Sequence, residues 1–86
     1  MADNRWTIVA VADDGEDVKI EENKHGHLRQ LLAKAVRELY GTNHNVDEYE
    51  LVIDGVTQVN LDLTLEQAGL HDEAEVVVQP RDVSKG

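Results

Sequence analysis

Cysteine and phenylalanine are missing from this chain, and proline and serine occur once each. Without cysteine there is no disulfide framework, no thiolate metal site and no cysteine nucleophile, a composition that suits a reducing compartment. The single serine, Ser84, lies in a polar C-terminal stretch with no rigid neighbour to orient a base, which removes the usual serine-nucleophile arrangement. No apolar run approaches the roughly 20 residues that span a bilayer, and Met1-Ala2-Asp3-Asn4-Arg5 lacks the apolar core of a signal peptide. A cytoplasmic protein is expected. Basic residues are also scarce, 8 Lys and Arg against 18 Asp and Glu, for a formal net charge of −10. Nucleic-acid binding draws on cations that neutralise phosphates, and an anionic membrane surface repels the same field, so neither partner is expected. Two accounts of the acidity stand: attraction of basic protein partners, and solubility alone.

What is present reads as one small domain, since 86 residues hold one modest core. Residues 6–11, Trp-Thr-Ile-Val-Ala-Val, are β-branched and aromatic enough for a strand. Asp13-Asp14-Gly15-Glu16 then supplies a tight turn, and Val18 and Ile20 alternate with Asp17, Lys19 and Glu21 as a second strand. Leu28, Leu31, Leu32, Ala35, Val36, Leu39 and Tyr40 recur at helical spacing. Asn23 is the expected N-cap, and Gly41 is expected to end the helix in the left-handed region. Tyr49 to Ile53 reads as a third strand, Asp54-Gly55 as another hairpin turn, and residues 56–63 as weaker extended structure. Thr64 and Gln67 fit a capping box that opens one helical turn ending near Gly69. Residues 73–79, with Val76-Val77-Val78, make a last strand stopped by Pro80, which has no backbone donor. This order predicts a mixed sheet of four to five strands wrapped on one main helix, with the last strand parallel to the first in its middle. Residues 1–80 form the expected domain and residues 81–86 a flexible tail with little to bury.

Period-2 alternation assigns the faces of that sheet. With Trp6, Ile8, Val18, Ile20, Leu51, Ile53, Val76 and Val78 inward, Val9, Val11, Val52 and Val77 point outward. Apolar residues on neighbouring strands of a solvated face mark a partner site; β-propensity at tolerant positions is the other account. His25, His27, His44 and His71 sit in separate segments, and no metal site is expected where three or four ligands must converge. Asp13, Asp14, Glu16 and Asp17 lack the ligand spacing of a calcium loop. Gly15, Gly26, Gly41, Gly55 and Gly69 are spread one per turn and build no phosphate cradle. No catalytic constellation emerges, and the chain is expected not to be an enzyme.

The stretch Glu50-Leu51-Val52-Ile53-Asp54-Gly55, followed by Leu63-Thr64-Leu65-Glu66-Gln67-Ala68-Gly69-Leu70, resembles the third strand, tight turn and Thr-Leu helical turn of the ubiquitin-like β-grasp family. The likeness runs from Trp6 to Val78 and implies an α+β, ubiquitin-like β-grasp fold. Leu28-Arg29, Tyr49-Glu50-Leu51 and Gly69-Leu70 are similar to small bacterial ubiquitin-like modifiers encoded with E1-like, E2-like and peptidase genes. The resemblance implies that Val52 stands at the centre of a partner-binding patch, with Val77 and Gln79 beside it; Val9 and Val11, outward by alternation, complete the expected patch. It further implies a protein modifier, monomeric when free, whose Gly86 carboxylate is activated by an E1-like enzyme. That enzyme would use ATP and magnesium, so no cofactor is expected on this chain. An E2-like enzyme would pass the thioester to target lysines as an isopeptide bond, and a peptidase would reverse it. Pro80 becomes a collar, and Arg81, Asp82, Val83, Ser84 and Lys85 the side chains read by the activating enzyme or peptidase. Lys85-Gly86 carries one terminal glycine where such modifiers usually carry two. Glycine suits the role because a missing Cβ lets the backbone approach closely; the plain alternative is a chain end without function. A non-conjugated adaptor using the sheet face, and a sulfur carrier using a C-terminal thiocarboxylate, are the competing functions.

Overall fold

The structure is a computed structural model, and it describes residues 4–81. Strand β1 (Arg5–Ala12) turns at Asp13 and pairs antiparallel with β2 (Asp17–Asn23), placing Ile8 opposite Ile20 and Ala10 opposite Val18. Gly15 takes φ 95° in the turn, and Asp14 Oδ1 accepts from the Glu16 amide at 2.9 Å. Helix α1 (Leu28–Tyr40) follows and buries Leu28, Leu31, Leu32, Ala35 and Val36 along the stripe that its spacing predicts. A 3-10 turn (Val46–Glu48) leads into β3 (Tyr49–Ile53), which folds back as β4 (Val56–Thr57). Asp54 and Gly55 both have positive φ, 53° and 81°, as a two-residue hairpin loop requires.

The last strand, β5 (Glu75–Pro80), runs parallel to β1 and antiparallel to β3, so the sheet order is β2-β1-β5-β3-β4. This is the central, parallel placement expected of Val76-Val77-Val78. The core lies between the sheet and α1: Ile8, Ala10, Leu28, Leu31, Leu51, Leu65, Val76 and Val78 are at most 1% exposed. Trp6 and Val18 pack at its margin.

The start of α1 differs from expectation. Asn23 is the last residue of β2, and its Oδ1 accepts from the His25 amide at 2.8 Å, so it caps a turn and not the helix. The N-cap is His27, whose amide is held by Gln30 Oε1. Two amides at the helix start are satisfied from far along the chain, Leu28 N by Leu63 O at 2.9 Å and Arg29 N by Leu61 O at 3.0 Å. Residues 24–29 and 61–66 are joined further by Leu65 N to Gly26 O and Glu66 N to Lys24 O. Residues 56–63 read from sequence as extended; the chain stays on β3 only through Gln58, whose amide donates to Leu51 O at 2.9 Å, and the Leu61 and Leu63 carbonyls beyond it cap the helix instead.

At the other end Gly41 adopts φ 110°, ψ 171°, a positive-φ conformation outside the left-handed helical well, with its amide on Val36 O and Arg37 O. The capping box of Thr64 and Gln67 is reciprocal: Thr64 N donates to Gln67 Oε1 at 3.0 Å and Gln67 N to Thr64 Oγ1 at 3.1 Å. It opens hydrogen-bonded turns through Gly69.

One acid breaks the apolar inner face. Glu22, 9% exposed, follows Val18 and Ile20 on the inner side of β2, and its Oε1 lies 2.7 Å from Lys34 Nζ on α1. That contact is too poorly aligned to count as a hydrogen bond, so Lys34 compensates charge without a directed bond. The Glu22 carboxylate also crowds Gly26, where an added Cβ would meet Glu22 Oε2.

Candidate docking surface

The outer face of the sheet carries one continuous row across all five strands. The pairings of Val11 with Asp17, Val11 with Val77, Val52 with Val77 and Val52 with Thr57 set Asp17, Val11, Val77, Val52 and Thr57 side by side. The three valines occupy adjacent strands, about 4.8 Å apart, and each is half-buried without a layer above it among the described residues. Val76 and Val78, one residue to either side of Val77, are 1% and 0% exposed. The alternation of the pleat separates them: neighbours in sequence stand on opposite faces.

The row is bounded on both sides by polar residues. Val9 lies one pleat from Val11, opposite Lys19 on β2 and Glu75 on β5. In the other direction Gln79 is opposite Glu50, and Gln79 Nε2 donates to Glu50 Oε2 at 2.5 Å. Val11, Val52 and Val77 thus form the apolar centre, Val9 extends it, and Gln79 belongs to the polar border.

Pro80 pairs with Tyr49 at the end of β5. Beyond it, the Arg81 amide donates to Glu48 O at 2.8 Å and its Nη1 to Asp47 O at 3.3 Å. Asp82, Val83, Ser84, Lys85 and Gly86 lie outside the described residues.

The surroundings of β5 are fixed by an aromatic cluster. Tyr40 and Tyr49 stack with ring centroids 4.5 Å apart, and His44 Nδ1 lies 2.8 Å from Tyr49 Oη. Tyr40 Oη directs its proton toward Val78 O at 2.9 Å and Asp13 Oδ1 at 3.0 Å. Burial raises the Tyr40 pKa from 10.0 to about 12, with the Asp13 carboxylate adding to the rise against the opposing Asp13 amide. The helix end, the first hairpin turn and the central strand are joined at this hydroxyl.

Sequence reasoning overlooked the opposite rim. Val56 is 61% and Val59 92% exposed, and Val59 lines a groove of about 330 Å³ together with residues including Arg29, Tyr49, Leu61 and Arg81. The sequence gives no sign of this exposure, because Val59, Leu61 and Leu63 alternate with Asn60 and Asp62 as a strand with one buried face would. Each histidine has its own contact: His25 lies beside Glu66, His27 is the N-cap, His44 faces Tyr49 and His71 faces Asp72 O.

No family model matches this chain, and no curated protein matches it. Among solved structures, the ubiquitin of Caldiarchaeum subterraneum is similar in fold, with a TM-score of 0.77 and 19% sequence identity over 94% of this chain and 99% of that one. At that identity the likeness establishes architecture. The chain has the ubiquitin-like β-grasp fold, with five strands in a mixed sheet and one main helix. No helix among the described residues is long and apolar enough to cross a membrane.

Proposed function

We propose that this chain is a ubiquitin-like protein modifier of a bacterial conjugation system, cytoplasmic, monomeric when free, and not an enzyme. The observation that carries the reading is the Val11–Val77–Val52 row on the open face of a β-grasp sheet. It is a compact apolar surface on the very strand that leads toward Gly86, so an enzyme seated on it can also reach the chain beyond Pro80.

In this reading an E1-like enzyme adenylates a carboxylate at Gly86, encoded last or freed by a peptidase, with ATP and magnesium. A thiol of the enzyme displaces AMP to form a thioester. An E2-like enzyme takes over the acyl group, and a target lysine attacks it to leave an isopeptide bond. Pro80 starts the segment, and Arg81, Asp82, Val83, Ser84 and Lys85 are the side chains the enzymes read. Val9, Val11, Val52, Val77 and Gln79 supply the docking contacts. Apolar anchors at the centre of a polar border are the arrangement that concentrates binding energy at protein interfaces.

The test is incubation with a candidate E1-like enzyme, ATP and magnesium, read by intact mass. A thiol-sensitive adduct through Gly86 is expected. Absence of any adduct on a chain whose Gly86 is intact overturns the reading. An adaptor that never conjugates is a second reading, favoured by the fact that the valine row itself needs no terminal carboxylate. Removing residues 84–86 separates the two, since an adaptor keeps its partner and a modifier loses its product.

A further inference from the structure

The described lysines differ in what restrains their amines. Lys34 Nζ is 2.7 Å from Glu22 Oε1 and donates to Glu21 O at 3.3 Å. Withdrawing it strands a carboxylate that is only 9% exposed. Lys24 Nζ faces Glu66 Oε2 at 3.7 Å, with 27% of its side chain exposed. Lys19 is exposed in the middle of β2 and has neither ion pair nor hydrogen bond among the described residues.

Position adds to this difference. β2 is an end strand of the sheet, so among the described residues no further strand stands beyond Lys19. The residue projects to the outer face, opposite Val9, in the pleat next to the valine row. Two strand spacings sideways and two residues along put its Cα within about 12 Å of Val77. An enzyme seated on Val11, Val77 and Val52 would therefore hold its thioester near this amine. The two paired lysines come from elsewhere: Lys34 from the helix and Lys24 from the turn after β2.

We propose that Lys19 is the acceptor amine through which one copy of this protein receives another. The inference rests on the modifier reading and names the substrate it would use: the thioester joining a second copy's Gly86 to a conjugating enzyme's thiol. The neutral Lys19 Nζ adds to the thioester carbonyl carbon. The C–S bond breaks as the C–N bond forms, and the proton lost by nitrogen is taken up by the departing thiolate. An amide and a free thiol remain, with no oxidant or reductant involved. Proximity supplies the main rate advantage, because the amine needs no ion pair broken before it meets the carbonyl.

The experiment uses full-length wild type, Lys19→Arg, Lys24→Arg and Lys34→Arg, each as sole substrate with the activating and conjugating enzymes. Thioester charging is measured first for every variant, then isopeptide-linked pairs are counted and the branch is mapped by peptide mass. The expected result is that all four charge, that Lys19→Arg alone loses linked pairs, and that the wild-type branch maps to Lys19. Arginine at position 34 keeps a cation for Glu22, so that variant is expected to fold and pair. Normal charging with pairs undiminished in Lys19→Arg, with a branch on another lysine, or with no pairs in the wild type overturns the acceptor and leaves the modifier reading standing. Failure of the wild type to charge overturns both.

Discussion

The two faces of one sheet use the same residue types for opposite purposes. Inside, Ile8, Ala10, Leu51, Val76 and Val78 are sealed against α1; outside, Val9, Val11, Val52 and Val77 meet no layer among the described residues. Val77 is hydrogen-bonded in the same strand as Val76 and Val78, so backbone energetics cannot distinguish them. What differs is the side-chain environment. On the inner face a methyl group is worth its burial and its packing contacts. On the outer face it contributes little to folding and keeps its burial in reserve for a partner. Folding energy and binding energy are thus separated by the pleat, and substitutions on the two faces are expected to affect different measurements.

The largest expected effect comes from the inner face. Leu51 is 0% exposed and lies opposite Val78 in the centre of the sheet. Leu51→Ala removes buried methyl groups and leaves a cavity, at a cost of about 3 kcal/mol, which lowers Tm by roughly 15 °C in a domain of this size. Thermal unfolding followed by circular dichroism measures it. A drop of only a few degrees would mean that the inner face is not packed as the register requires.

The contrast between faces was legible in the sequence because the pleat has a period of two and the flanking turns carry a distinctive chemistry. Asp54-Gly55 and Gly15 sit at positive φ, which those residues tolerate and β-branched ones do not. Thr64 and Gln67 announced their reciprocal bonds through spacing alone. The start of α1 was not legible. Its first amides are satisfied by Leu61 and Leu63 carbonyls, a solution that exists only after the chain has folded, whereas local sequence offers Asn23 as the cap. Glu22 escaped for a related reason: the alternation that places Val18 and Ile20 inward places it inward as well, yet its acceptability depends on Lys34 on a different element. For the docking surface, parity identified Val11, Val52 and Val77, but their alignment in one row follows from the registers of β1 and β3 against β5. Nothing within a single strand specifies those registers.

A middling effect is expected where the helix end, the first hairpin turn and the central strand meet. Tyr40 reaches from the helix end to Val78 O and to Asp13, so Tyr40→Phe loses a part-buried hydrogen bond at about 1 kcal/mol. The pH dependence sharpens the test. The folded-state pKa, about 12, lies above the ordinary 10.0. The neutral hydroxyl is therefore favoured by folding, and its contribution is whole below pH 10 and lost as pH rises through the folded value. Denaturant titrations of wild type and Tyr40→Phe are expected to differ by a constant amount below that window and to converge within it. A gap that stays constant through the window would show that Tyr40 ionises no later than in the unfolded chain.

The smallest effect on folding is expected on the outer face, and it tests the separation most directly. Val77→Thr keeps the β-branched shape and strand preference while replacing one methyl by a hydroxyl. Val77 sits between Val11 and Val52 without a covering layer, so the hydroxyl can meet water in the free protein. The stability change is expected to stay within about 0.5 kcal/mol. A partner that covers the row must desolvate that hydroxyl without offering it a bond, at a cost of about 1–3 kcal/mol, or roughly tenfold or more in affinity. Measured on one preparation, an unchanged denaturation midpoint with weakened binding to the activating enzyme would place the two energies on opposite faces. Loss of stability comparable to that of Leu51→Ala would mean that Val77 serves the core, and unchanged binding would remove the valine row from the docking surface.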